Sequence, residues 1–282
     1  MTSSSASFSD AMAAAGLAPA KPLDMHQDGK IHRYRVVGDK SGSVNGWYSL
    51  HDGSPAFGAF GSWKTSESHT WHEATTRPQT AAERAEFQRQ MHATRQAREA
   101  EQQAVYSAAR DKAAKLWARA HPAKSDHPYP KRKQINPIGI RQLRDMLLVP
   151  VRDSDGTLHS IQFIGQDGTK RFLTGGRTRA CYFSMGQITD TLLLAEGLAT
   201  GCTLFMATRH AVAVTFSCGN LQPVAKALRA KFPDLKFVIC ADNDVATTGN
   251  PGVTAAREAA RAVGGWLAVP SFTQEVAPCP AQ

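Results

Sequence analysis

From Thr191 onward the chain alternates short apolar runs with helix-length stretches, and this alternation restricts the fold more than any other feature. The apolar runs are TLLLAEG, AVAVTFS, KFVICAD and WLAVP. Between them lie LATGCTLFMATRH, LQPVAKALRAKF and VTAAREAARAV. Strands that are apolar throughout must be covered on both faces, and intervening helices supply the crossovers that parallel strands require. Residues 190–272 are therefore expected to form a Rossmann-like parallel sheet with helices on both faces, an α/β fold.

Ligands of such a sheet bind beyond the carboxyl ends of its strands. Two of the runs end in acids there. LLLAEG delivers Glu196, followed by Gly197 for a tight turn, and VICADND delivers Asp242 and Asp244. Two residues apart on extended backbone, the aspartates face the same way. A strand-terminal aspartate is often a helix cap or a solvated loop residue. Here three carboxylates converge on one sheet edge and repel one another unless a cation joins them. Hard oxygen ligands at this density suit Mg²⁺ or Mn²⁺, and the chemistry implied is metal-assisted work on phosphoryl groups.

The upstream sequence divides into four kinds. Residues 1–28 hold a short helix from Ser9 to Ala15 and a Pro-punctuated linker. Within 1–76 the segment 30–72 reads as a small β-rich module, with hairpin signals at Asn45-Gly46 and Asp52-Gly53. Arg33, Tyr34, Arg35 and Trp47 interleave basic and aromatic residues as single-strand binding surfaces do, although Trp47, Trp63 and Trp71 suit the core of a small sheet equally. Residues 79–120 contain no Gly or Pro and are rich in Ala, Gln, Glu and Arg, which predicts one long, largely exposed helix within a linker over 77–126. Residues 127–189 read as a basic α+β subdomain with hairpins at Asp155-Gly156 and Asp167-Gly168, and 273–282 as a tail.

The net charge of +9 is uneven. Residues 127–189 carry ten basic and four acidic side chains, whereas 190–282 are balanced. Clustered Lys and Arg suit a polyanion, whose phosphates release counterions on contact, as well as a merely solvated surface. The five cysteines (Cys181, Cys202, Cys218, Cys240 and Cys279) include no CxxC pair, which argues against a disulfide framework or a zinc ribbon and fits a reducing cytoplasm. Among the ten histidines, His32, His51, His69 and His72 fit no zinc spacing, so no zinc is expected. No apolar run reaches the ~18 residues of a membrane span, and the first residues lack a signal peptide's pattern, so neither a membrane nor export is expected.

LLLAEGLATG and VICADND resemble the glutamate and Asp-x-Asp motifs of the Toprim domain shared by DnaG-type primases, topoisomerases and OLD-type nucleases. Together with HPYPKRKQINPIGIRQLRDMLLVPVRDSDG, FIGQDGTKRFLTGGR and SCGNLQPVAKAL, they are similar to primase segments of plasmid and phage proteins, including TraC-type primases and primase–helicase fusions. The likeness covers roughly 125–272 and implies a DNA primase that makes short RNA primers on single-stranded DNA from NTPs. It implies a replicative helicase partner in cis or trans. On its motifs Glu196 would be a metal ligand or general acid/base, and Asp242 and Asp244 Mg²⁺ ligands. Arg152, Lys170, Arg171, Arg177 and Arg179 would contact phosphates. Asn220, in a Gly-Asn between strand and helix, would offer an amide to phosphate or simply cap the helix. The sequence departs from DnaG-type primases in having no cysteine before Cys181 to build their zinc ribbon. A Toprim nuclease and a non-catalytic DNA-binding or loading module are the alternatives.

Overall fold

The computed structural model describes residues 3–53, 55–65, 67–73, 80–243, 247 and 250–270. The chain forms two compact units, Met1–Gln103 and Ala104–Gln282.

In the first unit, helix α1 (Ser3–Ala14) begins a turn and a half before the expected start, because Phe8 and Met12 lie one turn apart and both bury. A meander of antiparallel strands follows: β1 (His32–Tyr34), β2 (Gly46–His51), β3 (Phe57–Ser62) and β4 (Glu67–His72). Alternation along β2 sends Tyr48 and Leu50 to the α1 side, where they pack with Phe8, Met12, Tyr34 and Phe60. Trp47, Ser49 and His51 take the other side, beneath helix α2 (Ala81–Arg119): the Arg98 guanidinium lies 5.0 Å from the Trp47 ring and His51 Nε2 3.0 Å from Thr94 Oγ1. Asn45-Gly46 is not a turn. Gly46 pairs with Tyr34 inside the ladder, and its missing side chain makes room for the Tyr34 ring, 2.6 Å from where a Cβ would stand. Asp52-Gly53 does lie in the connection between paired strands β2 and β3.

Helix α2 has the predicted length, about 58 Å at 1.5 Å per residue. The boundary between the two units falls inside it. In the second unit, β5 (His121–Pro122), β6 (Arg141–Leu143), β7 (Met146–Arg152), β8 (Leu158–Ile164) and β9 (Lys170–Phe172) form a second antiparallel meander, with the short helix α3 (Pro128–Lys133) between β5 and β6. Both expected turns are present: Gly156 and Gly168 take the left-handed conformation, and Asp153 and Asp167 accept backbone N–H bonds beside them.

The last sheet runs β10 (Phe183–Met185), β12 (Ala211–Val214), β11 (Thr191–Ala195), β13 (Lys236–Cys240), β14 (Trp266–Ala268). All its strands are parallel except β10, an edge strand with no counterpart among the expected elements. Helix α4 (Leu198–Thr208) covers one face, and α5 (Cys218–Lys231) and α6 (Pro251–Val263) the other. The α/β class with helices on both faces is as expected. The two sheets of this unit share a core: Leu147, Val149 and Ile164 from the meander and Tyr129 from α3 pack with Leu193, Val212, Val214, Leu198 and Cys202. The other face of the meander packs Leu148, Ile161 and Phe163 against Ala113, Leu116 and Trp117 of α2. The expected boundary at 189/190 thus lies within one compact unit. Among the described residues no helix is long and apolar enough to cross a membrane.

Candidate active site

Strand order creates the site. The chain leaves β11 through α4 to β12 on one side, then crosses back through α5 to β13 on the other. Chain segments leaving β11 and β13 therefore depart to opposite faces, and a crevice opens between their carboxyl ends, the topological switch point where open α/β sheets bind ligands. Glu196 directly follows β11. Asp242 stands two residues beyond β13, whose Cys240 pairs with Ala195. Neighbouring strands lie about 4.8 Å apart, so these two carboxylates flank the crevice. Asp244 lies outside the described residues.

The backbone around the acids is closely fixed. Glu196 O accepts from Phe216 N at 2.9 Å, and Phe216 holds φ 70°, a conformation that costs a non-glycine residue about 1 kcal/mol or more. Its ring meets Phe172 of β9 edge-on at 5.6 Å. Behind Asp242, α6 comes so close that a Cβ on Gly252 would stand 2.4 Å from the Asp242 carbonyl oxygen. Asn250 caps α6 by accepting from Val253 N, and its Nδ2 donates to Asn243 Oδ1 at 2.8 Å. Thr200, in the first turn of α4, donates to Asp242 Oδ1 at 3.4 Å.

Lys170 is a cation whose charge is coupled to both acids. It shares one face of β9 with Phe172, and its ammonium lies 6.0 Å from the Tyr129 ring. Its side chain is exposed by area yet crowded. That crowding lowers its pKa and the charge of Lys133 lowers it further, while Asp242 and Glu196 pull it back up. Lys133 and Thr200 were not among the expected site residues; the Lys-Arg-Lys run at 131–133 is the only sequence signal for the former. Cys240 is no nucleophile, because burial and then the charge of Asp242 push its thiol up to about 11.

The other basic residues do not join Lys170. Arg171 points to the opposite face of β9, over the Phe163 ring at 4.7 Å. Arg152 donates to Gly156 O at 2.8 Å within its own hairpin. Arg177 is tied inward: its Nη2 is 2.9 Å from Asp153 Oδ2, and His159 Nε2 lies 2.7 Å from the same oxygen. Burial works against the Asp153 carboxylate, but hydrogen bonds from His159 and Thr157, with the Arg177 charge, prevail and lower its pKa. Arg179 is exposed. Asn220 corrects the expectation most clearly. It is 7% exposed, and its amide is consumed by protein: Nδ2 donates to the carbonyls of Thr178, Cys181 and Thr215, and Oδ1 accepts from Ala180 N. It pins the 178–181 loop and has nothing left for a phosphate.

Two of the four expected single-strand contacts are likewise core residues. Tyr34 is 4% exposed and donates to Leu17 O at 2.8 Å; Trp47 is 2% exposed and packs on Trp63. Arg33 is exposed and Arg35 partly so.

As a metal-binding site, the crevice offers two hard carboxylates opposed by one nearby ammonium, a donor set that fits a divalent cation such as Mg²⁺. Among the described residues no group of three or more His, Cys, Asp or Glu converges.

The fold and this acid-edged crevice define the class: an α/β chain that presents carboxylates and a lysine at a switch point. No family model matches the chain. It is 36% identical over 259 residues to one Escherichia coli protein called DNA primase TraC, covering 87% of this chain and 24% of that protein. It is 34% identical over 281 residues to a second Escherichia coli protein of that name, covering 94% of this chain and 19% of the relative. The resemblance to TraC-type primases thus holds over most of the chain, which spans about a quarter or less of the relatives' length. Among solved structures, the primase fragment of the bacteriophage T7 primase-helicase protein aligns with a TM-score of 0.38 at 15% identity, covering 53% of this chain and 64% of that one. A DnaG primase catalytic domain bound to ssDNA aligns at 0.33 and 15%, covering 55% and 57%.

Proposed function

We propose that residues 104–270 form the catalytic core of a DNA primase, a Toprim-type nucleotidyltransferase that joins NTPs into short RNA primers on single-stranded DNA. The observation that carries the reading is the pair Glu196 and Asp242 at the switch point, with Lys170 brought to them from the basic meander. Relatives named DNA primase TraC support it.

Glu196, Asp242 and Asp244 would hold Mg²⁺ or Mn²⁺, which when bound supplies charge neutralisation at the reacting phosphoryl group. Lys170 and Lys133 attract the triphosphate of the incoming nucleotide as point charges. Thr200 steadies the Asp242 carboxylate, and the Phe216–Phe172 contact fixes β9 against the strand ends, so that the lysine stays in register with the acids. Arg179, exposed in the loop pinned by Asn220, contacts template phosphate. We place the protein in the cytoplasm, with a helicase as partner.

The chain should be incubated with single-stranded DNA, labelled NTPs and Mg²⁺ or Mn²⁺. Labelled oligoribonucleotides are expected. Cut template without them would make the chain a nuclease, and neither product would leave it a DNA-binding or loading module.

A further inference from the structure

The Met1–Gln103 unit gathers three cations, Lys21, Arg33 and Arg35, around one cleft. β1 is the free edge of its sheet. Alternation turns Tyr34 and Val36 into the core and leaves Arg33 and Arg35 on the outside. The segment before β1 runs beside it, with Ala20 N donating to Arg35 O at 2.8 Å and Pro19 bridging to Val36. The loop at 41–44 closes the other side, turning through Gly42 at φ 78°. Between them lies a cleft of about 360 Å³. Lys21, Arg33 and Arg35 line it, while Pro22, Leu23 and Val44 give it an apolar floor.

Two properties of this cleft point to its occupant. Among the described residues no carboxylate lines it, and none of its three cations makes an ion pair. Asp39, whose charge reaches Arg35, is already held by Lys64 at 2.8 Å and Asn45 at 3.1 Å. Arg33 lies over the Trp63 ring at 5.8 Å, and among the described residues neither it, Lys21 nor Arg35 has a carboxylate bonded to it, so a polyanion relieves the mutual repulsion of the three. The spacing is also suitable. Residues two apart on a strand stand about 7 Å apart, close to the separation of successive phosphates along an extended single strand. Apolar floor beside cations matches sugars and base faces beside phosphates.

We infer that this cleft binds the phosphodiester backbone of single-stranded nucleic acid. It takes over the role that the interleaved basic and aromatic residues suggested, with Lys21 in place of the buried Tyr34 and Trp47. The site does not depend on the primase reading.

The test is fluorescence anisotropy of the full 282-residue chain with a labelled oligothymidylate of about 16 nucleotides, titrated between about 50 and 200 mM salt. Each phosphate contact on a single strand contributes about 0.7 to the slope of log K against log salt. The variant Lys21→Ala/Arg33→Ala/Arg35→Ala should therefore lower the slope by about 2. The charge-keeping Lys21→Arg/Arg33→Lys/Arg35→Lys variant should retain it. Removing three exposed cations elsewhere, in Lys226→Ala/Arg257→Ala/Arg261→Ala, should change it little. An unchanged slope in the first variant would overturn the inference. So would equal losses in the control triple or in the charge-keeping variant, the latter indicating structural damage. Displacement of the oligonucleotide by polyglutamate as readily as by unlabelled DNA would also overturn it, making the occupant an acidic protein segment. None of these results depends on whether primers are made.

Discussion

Asn220→Ala tests whether a residue expected at a phosphate is instead a structural clamp. The substitution removes the two N–H donors that Nδ2 shares among the carbonyls of Thr178, Cys181 and Thr215, and the bond that Oδ1 accepts from Ala180 N. A buried hydrogen bond contributes about 1 kcal/mol net, so two donors and one acceptor together give roughly 3 kcal/mol, and the partners left unpaired keep the loss near that figure. For a unit of about 180 residues each kcal/mol moves the melting temperature by roughly 2–4 °C, which predicts a drop of about 6–12 °C. Calorimetry should place the drop on a transition of the Ala104–Gln282 unit. Asn220→Asp should be at least as harmful, because it turns an acceptor toward three carbonyl oxygens. If both variants melt within about 2 °C of the parent, the clamp is refuted and the amide becomes available for a ligand after all.

Glu196→Gln and Asp242→Asn should each abolish primer synthesis while leaving oligonucleotide affinity within about twofold, since the cations that hold the strand are untouched; equal losses of binding would contradict this separation. Gly252→Ala should destabilise by about 1–3 kcal/mol and slow synthesis, because its Cβ would press into the Asp242 carbonyl; denaturant unfolding and the primer assay report the two effects. Asp153 has its pKa held below the ordinary carboxylate value, so the stability it adds is present above about pH 4 and is lost as pH falls through the folded-state pKa. Unfolding of Asp153→Asn against the parent should therefore show a gap at neutral pH that closes in acid, and a gap constant to pH 2 would exclude the ion pair as its source.

Much of the second unit was readable because its signals are local. Short apolar runs such as LLLA and FVIC, bounded by turn residues and alternating with helix-length stretches, read as buried strands, and the helices between them call for parallel order. Glu196 and Asp242 were readable for the same reason: each follows directly from a strand end. The basic residues were not, because the question for each was which neighbour lay across a fold contact. Lys170 and Arg171 are adjacent in sequence and point to opposite faces, one to the acids and one to Phe163. Arg177 carries the same charge as Lys170 but is tied to Asp153, 24 residues earlier. Gly46 misled for a further reason. Asn-Gly is a turn signal when nothing else constrains the glycine, and here the Tyr34 ring needs the space above it.

The core that Leu147, Val149 and Ile164 build with Leu193, Val212 and Val214 also limits how this chain can be dissected. A fragment beginning at Asp190 would carry the acid edge with a greasy face stripped of its lid, and would clump rather than report on catalysis. Protein engineers who want the crevice by itself should graft from Ala104, keeping strand and meander as one inheritance.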